Sequence, residues 1–108
     1  MKLNDYQNRA RETAVYPYED GLTYTALGLC GEAGEVAEKI KKFIRGDSRY
    51  EEEGINQILL PELGDVLWYL ANLAYEIGYT LEEVAQNNID KLNKRMKENT
   101  IKGSGDDR

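Results

Sequence analysis

Two long segments of this chain repeat their apolar residues at helical spacing, and each carries a pair of acids on the border of its apolar stripe. In the first, Ala26, Leu29, Cys30, Ala33, Val36, Ala37, Ile40, Phe43 and Ile44 recur with the helical period. Glu32 sits on the edge of that stripe and Glu35 one step further round. In the second, Leu63, Val66, Leu67, Leu70, Leu73, Ala74 and Ile77 form the stripe, bordered by Glu62 and Asp65 at the same i, i+3 spacing, with 26 residues between Glu35 and Glu62. Two helices packed through these stripes bring four carboxylates together beside their contact. Like charges at close range repel unless they are protonated or hold a cation. An all-oxygen donor set suits a hard divalent ion, Mg²⁺ or Mn²⁺.

The rest of the sequence supplies helices around that pair. Leu3, Tyr6, Ala10 and Ala14 predict a short helix over 3–14, stopped before Tyr16-Pro17. The paired segments predict helices over 22–44 and 58–77, the first closed by Gly46 after Lys39, Lys41, Lys42 and Arg45. Thr80 with Glu83 reads as a capping box opening a last helix over 80–99. The expectation is an all-α four-helix bundle in one domain over 1–108, with a mobile acidic loop at 46–57 and a polar tail at 102–108. Gly28, Gly31 and Gly34 are expected on the back of the second helix, and Gly64, Trp68 and Tyr75 on the back of the third. Each interior glycine costs about 1 kcal/mol relative to alanine, so a closely approaching backbone is expected there. A homodimer or homotetramer would supply it.

Composition removes several functions. With no histidine, His-based triads, a histidine base and a histidine zinc site are excluded. The net charge of -6 argues against a nucleic-acid surface, which needs a basic face. The one cysteine, Cys30, cannot form an intramolecular disulfide and is expected as a small buried hydrophobe. With no signal peptide, spanning segment or lipidation motif in view, a cytoplasmic protein without a membrane partner is expected.

On the last predicted helix, Asn88, Lys91 and Arg95 fall where apolar residues would continue the stripe of Leu81, Val84, Ala85, Leu92 and Met96. Near a carboxylate cluster they suggest anion binding, because lysine and arginine match phosphate oxygens. The plain alternative is snorkelling over the core. Tyr69 lies on the edge facing the acids, where it serves either to stack on a base or to fill the core.

The whole pattern resembles the MazG-like all-α nucleoside triphosphate pyrophosphohydrolases. It rests on Glu32-x-x-Glu35 followed by Glu62-x-x-Asp65, within GEAGEVAEKIKK, ELGDVLWYLANLA and NIDKLNKR, and spans roughly 22–99. The resemblance implies Mg²⁺ ligation by Glu32, Glu35, Glu62 and Asp65, phosphate contacts from Lys91 and Arg95, and a substrate contact from Asn88. It also implies cleavage of an NTP or dNTP to the monophosphate and pyrophosphate, a nucleotide-pool house-cleaning activity. One departure stands out: Gly31 occupies the position where many members have a further glutamate. If that glutamate orients water, Glu38, one turn after Glu35, is the expected substitute, alongside Glu32 and Glu35 as the catalytic carboxylates. Two rival classes are a non-enzymatic dimeric helical regulatory module and a cation-binding protein or carboxylate-bridged di-metal redox protein. The second is opposed by the absence of the Glu-x-x-His pairs such bundles use.

Overall fold

Five α-helices make up the described part of this computed structural model, which covers residues 1–106: α1 (Leu3–Glu12), α2 (Gly21–Arg45), α3 (Ser48–Glu53), α4 (Ile55–Glu76) and α5 (Leu81–Lys97). A 3-10 turn at Tyr18–Asp20 precedes α2, and no strand occurs among the described residues. The all-helical expectation holds, but the count of four does not. The segment expected as a mobile loop is helical: it contains α3 and the first turn of α4. Gly46 (φ 85°) and Gly54 (φ 82°) adopt the left-handed backbone that punctuates it. Buried Tyr50 anchors α3, so Glu51, Glu52 and Glu53 decorate a short docked helix. Pro61 lies inside α4. Pro61 and Gln57, whose carbonyl loses its helical partner, are both exposed, so the defect lies on the solvent side. The expected caps are present: Gly46 closes α2, and Thr80 Oγ1 accepts from Glu83 N at 3.1 Å while Glu83 Oε1 accepts from Thr80 N at 3.0 Å.

α2 and α4 form the main contact, and they run antiparallel. Gly21 meets the Glu76 carboxylate, Gly28 meets the Tyr69 ring, and Glu32 meets Asp65 and Glu62, stepping in opposite directions along the two helices. The contact face follows the apolar stripes read from the sequence only in part. α2 turns Gly21, Thr25, Gly28, Glu32 and Val36 inward and leaves Leu22, Leu27, Cys30, Ala33, Phe43 and Ile44 exposed. On α4, Leu60, Leu63 and Leu67 are exposed too. The reason is close approach: a Cβ at Gly28 would overlap the Tyr69 ring, so the missing side chain lets the two helices meet through this ring. Gly28 therefore belongs to the inner face, contrary to the glycine stripe expected on the back. Gly31, Gly34 and Gly64 do face open space. Cys30, expected buried, is exposed.

The other side of α4 carries α1 and α5, and no Cα of α5 comes within 8 Å of one of α2 among the described residues. Ala10, Ala71 and Leu81 form the small buried core there, with Tyr6, Trp68 and Leu70 packed against it. Trp68, expected on an outward face, instead donates from Nε1 to Thr13 Oγ1 at 2.8 Å. Tyr75 remains 52% exposed, with the Arg11 guanidinium 3.7 Å over its ring. A polar lock ties the three helices together. Gln7 Nε2 donates to Ala71 O and Tyr79 O, each at 3.1 Å, and its Oε1 accepts from Leu81 N at 3.1 Å. Arg11 donates to Asn72 Oδ1 at 3.1 Å and to the Tyr16 hydroxyl at 2.6 Å, and that hydroxyl donates to Glu76 Oε1 at 2.6 Å.

Candidate functional site

Glu32 on α2 and Glu62 and Asp65 on α4 each place a carboxylate oxygen within 4.8 Å of the other two. Three facts of sequence produce this. Gly28, one turn before Glu32, brings the helices close. Glu62 and Asp65, three residues apart, share one face of α4. The antiparallel run then sets Glu32 opposite both. Glu32 and Glu62 are half-buried and Asp65 is exposed. Burial, then the charges of Asp65, Glu62 and Glu35, push the Glu32 carboxyl above its ordinary range. Mutual repulsion of this kind marks a site suited to a cation.

Of the four expected ligands the structure gathers these three. Glu35 lies outside the trio, exposed, although its charge still acts on Glu32. Glu38 faces away into its own helix: it pairs with Lys41 at 3.1 Å and Lys42 at 3.8 Å, and those lysines hold its carboxyl below the usual range. Lys39, two turns after Glu32, reaches Glu62 Oε1 at 3.8 Å.

An aromatic wall stands beside the acids. Tyr69 packs on Gly28 and makes an edge contact with Trp68 (centroids 4.9 Å apart, 83°) and a tilted one with Tyr24 (6.3 Å, 37°). Tyr24 stacks on Tyr16 at 5.0 Å. Burial, a hydrogen bond with Tyr24 and the charges of Glu32 and Asp65 raise the Tyr69 hydroxyl's pKa. The Tyr69 ring is thus held between helices rather than standing free. Tyr6 on α1 borders the same site: burial and then the charge of Asp65 raise its hydroxyl's pKa. No spacing in the sequence ties Tyr6 to the acids, because the link is made only when α1 docks on α4.

The three residues of α5 are not joined to the trio by any ion pair or hydrogen bond among the described residues. Asn88 is exposed. Lys91 Nζ lies 3.2 Å and Arg95 Nη2 3.3 Å from one oxygen, Asp106 Oδ1, in the returning tail. Arg95 Nη2 also donates to the carbonyls of Gly105 and Asp106, at 3.3 and 3.2 Å. Arg95 is only 4% exposed, and its Nε is buried without a partner among the described residues. These cations do hold an oxyanion: hydrogen bonds from Lys91 and Arg95 keep the Asp106 carboxyl below its usual range.

Residues 21–100 match the family model of the MazG nucleotide pyrophosphohydrolase domain. The chain belongs to that family. It is 41% identical to the Gene 37 protein of Mycobacterium phage L5 over an alignment of 114 positions spanning all of both chains. It is also 36% identical over 73 residues to the uncharacterized protein YvdC of Bacillus subtilis (strain 168), covering 63% of this chain and 69% of that one. No solved structure matches the chain. Among the described residues, no helix is long and apolar enough to cross a membrane.

Proposed function

We propose that this MazG-family chain hydrolyses a nucleoside or deoxynucleoside triphosphate to the monophosphate and pyrophosphate, using Mg²⁺ with Mn²⁺ as a substitute. The observation that carries the reading is the trio Glu32, Glu62 and Asp65, three oxygen donors clustered with no nitrogen or sulfur ligand beside them. That donor set fits a hard divalent ion. When bound, the ion offsets polyphosphate charge and lowers the pKa of a coordinated water. The residues of the chain do the rest. Glu35, one turn from Glu32 and outside the trio, keeps its oxygens free to take the proton from the attacking water. Water adds to phosphorus, the phosphoanhydride P–O bond breaks, and pyrophosphate leaves. Glu38, engaged by two lysines, is a weaker candidate for that base than Glu35. Tyr24 and Tyr69 offer a wall for the nucleoside. Asn88, Lys91 and Arg95 contact the substrate, Lys91 and Arg95 by exchanging the Asp106 carboxylate for its phosphate.

The assembly belongs to the same reading. A radius of gyration of 16.9 Å exceeds the roughly 13 Å of a compact chain near this length. Leu27, Phe43, Ile44, Leu60, Leu63 and Leu67 stay exposed beside the open faces of Gly31, Gly34 and Gly64. A homodimer or homotetramer covers these surfaces. Sedimentation showing only a 12.3 kDa species at micromolar concentration would refute this.

The decisive experiment presents canonical and modified NTPs and dNTPs with Mg²⁺ and follows monophosphate and pyrophosphate together. The expected result is equal release of both from at least one nucleotide, abolished by chelation. A non-enzymatic module predicts no release and no effect of Mg²⁺ on thermal stability.

A further inference from the structure

Past the acid trio, at the C-terminal end of α2, lies a cavity of about 450 Å³ whose lining includes Lys39, Lys42, Arg45, Arg49 and Tyr50, with Asp47 the one carboxylate. In a chain of net charge -6, four cations against one anion around a single cavity is a local reversal of sign. The four are not equivalent. Arg45 is spent on Asp47 in a bidentate pair at 2.9 and 2.6 Å, and Arg49 reaches Glu53 at 3.4 Å. Among the described residues Lys39 and Lys42 have only loose partners: Glu62 and Glu38, each at 3.8 Å, beyond hydrogen-bonding distance. Both ammonium groups therefore have donors to spare for an incoming oxyanion. Their side chains are 18% and 34% exposed, so part of their hydration is already lost.

Position gives the cavity its meaning. Lys39 lies seven residues after Glu32, two turns along almost the same face of α2, and its partner Glu62 is a member of the acid trio. The basic cavity therefore adjoins the acidic site through Glu62. Lys42 continues the line about 4.5 Å further along the helix axis. On α5, Lys91 and Arg95 lie against Asp106, and no Cα of that helix comes within 8 Å of one of α2 among the described residues, which leaves them to a different part of the phosphate chain from the one along α2. We propose that Lys39 and Lys42 form the subsite for the pyrophosphate half of the substrate, the part that leaves. The reacting phosphorus then lies at the trio and the leaving group extends toward the end of α2. As the anion arrives, Lys39 exchanges its loose contact with Glu62 for phosphate oxygen, freeing that carboxylate to serve the cation. This assignment rests on the proposed pyrophosphohydrolase reading.

The test is direct binding of inorganic pyrophosphate to the full chain by calorimetry with Mg²⁺ present, with orthophosphate as the second arm. Wild type is expected to bind pyrophosphate more tightly than orthophosphate. Lys39→Gln and Lys42→Gln should each weaken pyrophosphate by about tenfold or more, in line with loss of a charge-assisted contact. Lys41→Gln, which does not line the cavity, should change binding by less than about twofold. Lys42→Gln leaves the Glu62 contact intact, so it stands if Lys39→Gln disturbs the fold, and circular dichroism verifies each variant. No pyrophosphate binding by wild type, or unchanged binding in folded Lys42→Gln, overturns the subsite. Failure of the enzymatic reading is seen separately: pyrophosphate binds as described, yet no nucleotide in the panel is cleaved.

Discussion

One helix, α4, carries two polar clusters that differ in every respect that matters. Toward its C-terminus, Asn72 and Glu76 are locked into Arg11, Tyr16 and the backbone, while Gln7 satisfies three backbone groups between helices. Toward its middle, Glu62 and Asp65 face Glu32 with like charge, and Lys39 stands 3.8 Å from Glu62. The first cluster is complete: donors meet acceptors, and its removal leaves buried groups unsatisfied. The second is incomplete, its repulsion awaiting a cation. A finished network stabilises the fold; an unfinished one is where a ligand belongs.

The sharpest break in that comparison comes from the open cluster. Asp65→Ala or Glu32→Ala should lower Mg²⁺-dependent hydrolysis by about a hundredfold or more, roughly 2.7 kcal/mol of barrier. Thermal stability without metal should hold steady or rise, since repulsion is relieved. Turnover above about a tenth of wild type in both variants, less than about 1.4 kcal/mol, would remove the trio from the mechanism. The closed cluster should answer in the opposite currency. Gln7→Ala strands Tyr79 O and Leu81 N and takes a second donor from Ala71 O, and should cost about 2–3 kcal/mol of stability, read by denaturant unfolding. Activity per folded molecule should stay near wild type.

A third experiment probes how the open cluster is assembled. Gly28→Ala drives a methyl into Tyr69 and should destabilise by about 1–3 kcal/mol, separating α2 from α4 and weakening metal affinity with it. Gly31→Ala faces open space within the chain. It should stabilise by up to about 1 kcal/mol if no partner helix packs there, and destabilise if one does. The sign of that change therefore reports on the oligomer face.

The smallest effect is one of pH. Glu32 has its folded pKa raised above the ordinary 4.5 by burial and by Asp65, Glu62 and Glu35. Between the two values the folded chain binds more protons than the unfolded one, so stability falls as pH rises through that window and stays reduced above it. In chelator, the melting temperature of wild type should drop relative to Glu32→Gln as pH climbs from about 4.5. Saturating Mg²⁺ should close the gap at neutral pH. Parallel curves for the two proteins would show that Glu32 is not strained by its neighbours.

The sequence by itself determined that the chain is helical, where α2 and α5 are capped, and that Glu62 and Asp65 share one face of α4. These are matters of local period and spacing: Glu62 and Asp65 share a face because a helix turns by a set angle, and Gly46 ends α2 because few other residues accept its backbone. Gly54, a second left-handed glycine, bounded α3, but an acidic run without an apolar stripe concealed that helix; only Tyr50 finding a buried seat holds it. Tertiary structure alone decided which side of α2 turns inward. Apolar content pointed to the Cys30–Ala33–Ala37 side, yet the helices meet through Gly28, because one ring lying on a bare backbone shortens the approach. The same packing left Glu35 outside the trio and brought Lys39, seven residues after Glu32 and almost on its face, to Glu62. Period places residues on faces; which faces touch depends on where two surfaces can come closest, and that is a property of both helices at once.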